Sequence, residues 1–272
     1  MKIIVFTKHL RGLEIGELAK TIREVGGEGA DLCVREGYPV NPGNIKKKLS
    51  EAVRIFREEN LSIPLVTTPT DFVNPEKRET EELFSASGES GVQLIKLGYW
   101  FMEEDGYWRT VDRIRKRLEK FEKLAEKYQV KALVHNHSGG TMGLNSSSAM
   151  NLVKGFNPKY IGIFADTGHL SLVGEPLPLA LDIVKEYMSA VAVKDLIRER
   201  VLIDGKRQWQ TRVVPIREGF VDWETLIRLL VGMNFKGPIS VHSEYSEYDV
   251  DTVIDQTKID IRFLRRLINE VE

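Results

Sequence analysis

Cysteine is almost absent from this sequence, since Cys33 is the only one among 272 residues. A single cysteine excludes an internal disulfide and a cysteine-based zinc site, which fits a reducing compartment. No apolar run approaches the ~20 residues that a membrane-spanning helix needs. The start, MKIIVFTKHL, is too short and too soon polar for a signal peptide. We therefore expect a soluble, cytoplasmic protein in which Cys33 is buried and inert.

An excess of charge of either sign is also lacking. Lys and Arg number 39 against 40 for Asp and Glu, which gives a net charge of −1. Without an overall positive field, nucleic acids and anionic membranes are disfavoured as partners. A glycine-rich phosphate-binding turn is missing too, because FTKHLRG after the first apolar segment has no similarity to G-x-G-x-x-G. No nucleotide cofactor is expected.

What the sequence does contain is eight short apolar segments, nearly all separated by helix-like segments. They are Ile3–Phe6, Ala30–Val34, Leu61–Val66, Val92–Leu97, Ala132–Val134, Tyr160–Ala165, Ala190–Val193 and Pro238–Val241. The alternation predicts an α/β protein, and eight βα units close most naturally as a (β/α)8 TIM barrel. We predict one such domain over residues 1–272. Asp204-Gly205, between two alternating segments, predicts a short β-hairpin excursion after strand seven.

Polar side chains follow the apolar segments where the strands would end. Segments five and six run into VHNHSGG and ADTGHL, which hold three of the five histidines and an aspartate. Side chains alternate along a strand, so residues two apart share a face. The side chains predicted to point into the barrel mouth include His135, His137, Asp166, Lys194, His242 and Glu244. Because such groups cost free energy inside a protein unless paired or bound, their convergence predicts a functional site.

Several of these motifs resemble those of a known superfamily. The most specific are D-x-G-H in ADTGHL and E-G-x-V-D-W in VPIREGFVDWETL, and GGEGADLCVR, VHNHSGG, VAVKDL and GPISVHSEY extend the resemblance over nearly the whole chain. The chain resembles the sugar phosphate isomerase/epimerase superfamily, the xylose isomerase-like TIM barrels. That superfamily includes ketose 3-epimerases, ketoinositol dehydratases and apurinic-site endonucleases.

The resemblance implies a divalent metal at the mouth of the barrel. In ketose epimerases of this superfamily, Glu, Asp, His and Glu from strands five to eight hold it. Asp166 matches this pattern, whereas His135, Ala192 and His242 stand at the other three positions. The two glutamates that normally shuttle the proton are therefore absent. His169, which in such enzymes contacts substrate oxygens, is retained.

The altered positions suggest a different kind of metal site. Imidazoles in place of carboxylates shift the preference away from Mg. We predict that His135, Asp166 and His242 form a two-histidine, one-carboxylate site for Zn, Mn, Fe or Co, with Glu244 as a fourth ligand or general base. Lys194 argues the other way, because a metal repels a nearby ammonium. It would then replace the metal and stabilise an enediolate oxygen.

The predicted function is isomerisation or epimerisation of a sugar or sugar phosphate by proton transfer next to a carbonyl group. The catalytic candidates are Glu244, Lys194 and His137. The candidates for binding substrate hydroxyl groups, an anionic group or a sugar face are His169, Arg35, Lys96, Arg198 and Trp100.

Two alternatives stay open. A keto-polyol dehydratase of the inosose type would use the same enolate to expel water, and a non-catalytic sugar-binding barrel would account for the lost glutamates. Cleavage of abasic DNA is disfavoured, because it needs more metal ligands than five histidines supply and because the net charge is near zero. We therefore expect a small sugar or polyol as partner, and a homodimer, since barrels of this type often pair.

Overall fold

The computed structural model describes residues 1–271, which form ten β-strands and nine α-helices. The strands are β1 Lys2–Phe6, β2 Gly29–Cys33, β3 Ser62–Thr67, β4 Leu94–Lys96, β5 Lys131–His135, β6 Ile161–Asp166, β7 Met188–Val193, β8 Asp195–Ile203, β9 Lys206–Val214 and β10 Pro238–Val241. The helices are α1 Ile15–Glu24, α2 Ile45–Glu58, α3 Arg78–Ser90, α4 Tyr107–Tyr128, α5 Ser146–Val153, α6 Thr167–Leu172, α7 Leu177–Val184, α8 Trp223–Gly232 and α9 Val250–Val271. A short 3-10 helix, Thr7–His9, follows β1.

Eight of the strands close into a parallel barrel in the order β1-β10-β7-β6-β5-β4-β3-β2. The ring is closed by β1, which pairs with β10 through Ile4 and Ser240 and with β2 through Val5 and Ala30. Helices connect successive strands and bury their apolar sides against the outside of the barrel. The predicted (β/α)8 TIM barrel is confirmed.

The remaining strands, β8 and β9, form an antiparallel hairpin that leaves the barrel directly after β7. Its turn is Asp204-Gly205, with φ angles of 48° and 73°. A two-residue turn with positive φ at both positions matches the twist of an antiparallel pair, and aspartate followed by glycine tolerates that conformation best. The predicted hairpin excursion is confirmed, and most of its side chains are exposed.

The interior of the barrel is closed by a small apolar cluster below the mouth. It consists of Ile4, Leu65, Leu133, Phe164, Ala190 and Ala192. Along β5 and β6 the same faces continue upward into His135 and Asp166, since every second side chain points inward. The centre of the barrel is therefore filled by apolar side chains, and the polar groups of the mouth lie above this layer.

Asp195, the first residue of the hairpin, organises the segment that contains the E-G-x-V-D-W motif. Its fully buried carboxylate accepts hydrogen bonds from the backbone N–H groups of Arg217 and Val221 and from the indole N–H of Trp223, at 2.9–3.1 Å. A Cβ atom on Gly219 would lie 2.2 Å from an oxygen of this carboxylate, so the close approach requires glycine. The motif thus anchors the chain after the hairpin next to Lys194.

Two further features of the chain concern its chemical environment. Cys33 is buried, and burial raises the pKa of its thiol to about 12. Within residues 1–271, no helix has the length and apolar character needed to cross a membrane.

Candidate active site

A cavity of about 300 Å³ opens at the carboxyl ends of the barrel strands. All eight barrel strands, or the loops directly after them, contribute side chains to its wall. The sequence candidates that line it are Arg35, Lys96, His135, His137, Lys194, His242 and Glu244. This is the end at which α/β barrels bind their ligands, so the structure brings most of the predicted residues together where ligands bind.

The centre of the site is an ion-pair chain built around Lys194. Its Nζ lies 3.0 Å from Oδ2 of Asp166 and 3.2 Å from Oε2 of Glu244, and Lys8 Nζ lies 2.6 Å from the other oxygen of Glu244. Burial opposes the charge on Lys194, but the two carboxylates outweigh it and raise the pKa of the ammonium. Burial alone would raise the pKa of Asp166 and Glu244, yet Lys194 holds both well below the usual range. All three groups are therefore charged at neutral pH.

The stem of Lys194 is held in place by the D-x-G-H motif. Asp166 caps helix α6, its Oδ1 accepting a hydrogen bond from the backbone N–H of His169 at 3.0 Å. Between them, Gly168 packs so closely that a Cβ atom there would lie 2.8 Å from Cγ of Lys194 and 2.7 Å from its carbonyl oxygen. The motif thereby fixes both the carboxylate and the lysine that it neutralises.

Two histidines have tautomers that follow from their hydrogen bonds. His135 Nε2 lies 3.3 Å from Oδ2 of Asp166 and its Nδ1 lies 2.8 Å from the hydroxyl of Tyr99. A neutral ring next to a carboxylate carries its proton on Nε2, so Tyr99 donates to Nδ1. His137 Nδ1 lies 2.5 Å from the carbonyl oxygen of Ser138, which can only accept, so its Nε2 is left unprotonated. His137 thus lines the cavity with a free lone pair.

Burial keeps the rings of His135, His137 and His169 neutral at neutral pH. Burial lowers the pKa of His135 and His169 well below the ordinary value of 6.5, and it lowers the pKa of His137 as well. The rings of His137 and His169 stack with their centroids 3.8 Å apart. His169, a sequence candidate for substrate binding, is not part of the cavity wall; it contacts His137 and hydrogen-bonds through Nδ1 with the hydroxyl of Ser138 at 2.8 Å.

These neutral histidines should make the protein acid-sensitive. A histidine whose pKa is lowered by folding gains a proton only in the unfolded chain as the pH falls below 6.5. The free energy of unfolding should therefore fall by up to about 1.4 kcal/mol per pH unit for each such ring. Urea denaturation of the wild type at pH 7, 6 and 5 measures this slope. A His169→Gln variant, with one titrating ring fewer, should show a shallower slope, and equal slopes would contradict neutral burial of His169.

The three residues predicted to bind a metal do not form one ligand set. His135 contacts Asp166, but His242 Nε2 lies 3.5 Å from Asp31 on the other side of the barrel mouth, with its ring against Phe6. Lys194 occupies the position next to Asp166 that a metal would need. In the part of the chain that the structure describes, no three His, Cys, Asp or Glu side chains are grouped so that they could hold a metal ion. The predicted site is therefore corrected: the donor set does not fit a metal.

Two of the predicted substrate-binding residues lie elsewhere. Trp100 is buried in the outer core, whereas Tyr99, one residue earlier, lines the cavity. Arg198 is exposed on β8, with its guanidinium 5.0 Å from the ring centroid of Trp209. Neither residue lines the cavity. Lys8 was missing from the predicted set, although the polar segment after the first apolar run gave a signal for it.

Comparison with known proteins gives the same picture of the fold. The model of the family described as xylose isomerase-like TIM barrels matches residues 19–267 of this chain. An inosose dehydratase from Clostridium tetani is 25% identical over 174 residues, which cover 61% of this chain and 56% of that enzyme. The match thus spans little more than half the length of this relative.

Two solved structures illustrate the likeness over the whole chain. A 3-keto-D-glucoside 4-epimerase from E. coli superposes with a TM-score of 0.73 at 16% identity, covering 98% of this chain and 99% of that one. A xylose isomerase-like TIM barrel protein from Mycobacterium smegmatis, in complex with magnesium, superposes with a TM-score of 0.68 at 15% identity, covering 98% and 97%. At such identities the likeness establishes a shared fold.

Proposed function

Because this chain belongs to the family of xylose isomerase-like TIM barrels, we propose that it is an isomerase or epimerase that moves a proton next to the carbonyl group of a sugar. One observation carries this proposal: an unprotonated histidine nitrogen and a charged lysine line the same cavity. Removal of a proton next to a carbonyl group needs these two elements, a base for the proton and a positive charge for the oxyanion.

In the proposed reaction, His137 Nε2 accepts the proton from the carbon next to the carbonyl group. The electron pair of the broken C–H bond forms the C=C bond of an enediolate, and the carbonyl oxygen takes the negative charge. Two donors of the Lys194 ammonium face Asp166 and Glu244, and the third is available to this oxygen. Return of the proton to the former carbonyl carbon, with transfer of the adjacent hydroxyl proton to the former carbonyl oxygen, gives an isomer. Protonation of the original carbon on the opposite face, by water in place of His137, gives an epimer.

Glu244 has a supporting role in this scheme. Two ammonium groups contact its carboxylate, and its pKa is held well below the usual range, so it is a weak base. It keeps Lys194 charged and oriented, together with Asp166. No proton passes through a metal ion, because the residues present do not form a ligand set for one.

A second candidate is the dehydration of a keto-polyol. The relatives named inosose dehydratase favour it, and the same enolate leads to it if a hydroxyl group leaves from the next carbon instead of the proton returning. The observed cavity volume of about 300 Å³ is compatible with a single ring or chain of six carbons, since ligand pockets begin near that size.

Proton exchange in deuterated water tests these alternatives together. We expect the enzyme to replace the α-hydrogen of a ketose or keto-polyol with deuterium, and NMR measures this replacement. The rate of exchange should be the same in the presence of EDTA. New sugar isomers that contain deuterium would identify an isomerase or epimerase. A product that has lost one water molecule would identify a dehydratase. If sugars bind but no hydrogen exchanges, the barrel is a sugar-binding protein and the proposal fails. Activity that EDTA abolishes and metal restores would refute the lysine-based mechanism.

A further inference from the structure

Two cations of the cavity wall, across the barrel from Lys194, take no part in the proposed chemistry. Lys96 ends β4 and Arg35 follows β2, whereas Lys194 and His137 come from β7 and β5. Lys96 is 1% exposed, and its Nζ has no hydrogen-bond partner among residues 1–271. The Nε of Arg35 is likewise shielded from solvent and unpaired there. A buried donor without an acceptor costs free energy, so these groups call for a partner that is not part of the protein.

The carboxylates at the mouth do not supply that partner. Asp166 and Glu244 are engaged by Lys194 and Lys8, and Asp31 accepts hydrogen bonds from the hydroxyls of Thr67 and Ser240 at 2.6 and 2.9 Å. Within the described residues, neither Lys96 nor Arg35 has a carboxylate oxygen within 4.0 Å.

Counting charges leads to the same conclusion. The cations are Lys8, Arg35, Lys96 and Lys194, and the carboxylates are Asp31, Asp166 and Glu244. Four against three leaves one positive charge in excess, on the side of Lys96, whenever Lys96 is protonated. Burial, then repulsion by Arg35, lowers the pKa of Lys96 to about 7, as expected for a cation without a counterion.

We propose that Arg35 and Lys96 form a subsite for an anionic group of the substrate, a carboxylate or a phosphate ester. Guanidinium and ammonium groups side by side are the usual partners of such groups. This inference rests on the proposed function, because it assigns the substrate class of the same cavity.

Tyr99 fixes where the anionic group sits relative to the reacting carbon. Its ring centroid lies 3.7 Å from Nζ of Lys96, while its hydroxyl donates to His135 on the reacting side. Lys194, which faces the carbonyl oxygen, follows β7, and β5 and β6 separate β7 from β4 and Lys96. The anionic group is expected at the end of the sugar away from the carbonyl group.

Thermal denaturation with inorganic phosphate or acetate as probe, against chloride at equal ionic strength, tests the subsite directly. We expect either anion to raise the melting temperature of the wild type, and Lys96→Met to weaken its binding by roughly tenfold to a hundredfold, as for loss of a charged hydrogen bond. Arg198→Gln removes an exposed cation outside the cavity and should bind like the wild type. Equal binding by Lys96→Met and the wild type, or no anion effect at all, would overturn the subsite.

Kinetics separate this proposal from the proposed function. With a ketose phosphate or a keto sugar acid, Lys96→Met should raise KM by a similar factor; with the neutral ketose, KM should not change. The anion that gives the larger effect identifies the natural group. If neutral ketoses exchange their α-hydrogen but no anion binds, only the subsite is refuted. If an anion binds but no ketose exchanges its α-hydrogen, only the proposed function is refuted. If Lys96→Met does not fold, Arg35→Gln can replace it in these experiments, because both variants are expected to behave alike.

Discussion

Replacing Lys194 with methionine should reduce deuterium exchange at the α-carbon of the substrate by about 10²–10³-fold, the usual loss on removing one preorganised oxyanion donor. Methionine keeps the unbranched stem that packs against Gly168 and removes only the charge. The defect should lie in kcat, because the enediolate carries more negative charge on its oxygen than the bound ketone does. Exchange rates from NMR over a range of ketose concentrations provide the measurement.

The same substitution should lower the stability of the fold. Asp166 and Glu244 would face each other without their shared cation, and removal of one member of a buried ion pair costs about 3–5 kcal/mol. Burial would then raise both carboxyl pKa values, so the stability deficit should shrink as the pH is lowered from 8 to 5. Lys8→Met is the matched control, because the Lys8 side chain is 43% exposed and its ammonium forms an ion pair with Glu244; it should have a smaller effect on both properties. Retention of exchange within tenfold in Lys194→Met would show that the lysine does not stabilise the oxyanion.

His137→Gln should lower kcat for exchange by about 10²–10⁴-fold, the range that general-base catalysis contributes. Glutamine can still donate a hydrogen bond to the carbonyl oxygen of Ser138, so the loop should keep its conformation, but it has no lone pair basic enough to accept a proton. KM should change little, because a base that acts only on the C–H bond contributes little to binding.

The pH dependence of kcat/KM distinguishes this base from its rival. The pKa of His137 is lowered, so activity should persist at pH 6.5 and fall only below it. If Glu244 were the base, the fall would come at a still lower pH, because its pKa lies well below 4.5. Full loss of exchange in Glu244→Gln together with near-normal exchange in His137→Gln would reverse the assignment.

The strands were predictable because their residues obey a simple periodic rule. Apolar segments bounded by polar ones gave all eight barrel strands, and alternation along each strand correctly turned Lys96, His135, Lys194 and His242 inward. Asp204-Gly205 predicted the hairpin correctly, because a two-residue turn needs positive φ angles at both positions and few residue pairs adopt them readily. Helix α3, by contrast, was difficult to predict, because its segment is acidic and has only a weak apolar stripe.

The separation of the three proposed metal ligands was not predictable in this way, because alternation says which side chains point inward and not which ones meet. His135 and His242 belong to β5 and β10, which β6 and β7 separate in the barrel. Lys194 on β7 comes between Asp166 and Glu244, so an ammonium takes the place expected for a metal. That juxtaposition depends on the closure of the ring and the reach of each side chain, and neither is visible in a single sequence.

Trp100 and Arg198 lie away from the cavity for the same reason. Both residues lie just beyond the point where a strand leaves the regular barrel, after Lys96 in β4 and after Asp195 at the start of β8. Past those points, the alternation that predicts direction no longer applies. Tyr99 therefore enters the cavity instead of Trp100, and Arg198 is carried away on the hairpin.

The pairing of Asp195 with Val214 at the base of the hairpin has an evolutionary consequence. The hairpin starts and ends at neighbouring points on the barrel. A change in the length of the hairpin therefore leaves the spacing of these two points unchanged. Insertions and deletions at the Asp204-Gly205 tip should be among the cheapest changes open to this lineage. Such changes would let the outer surface diversify while the lysine that precedes the hairpin stays where it is.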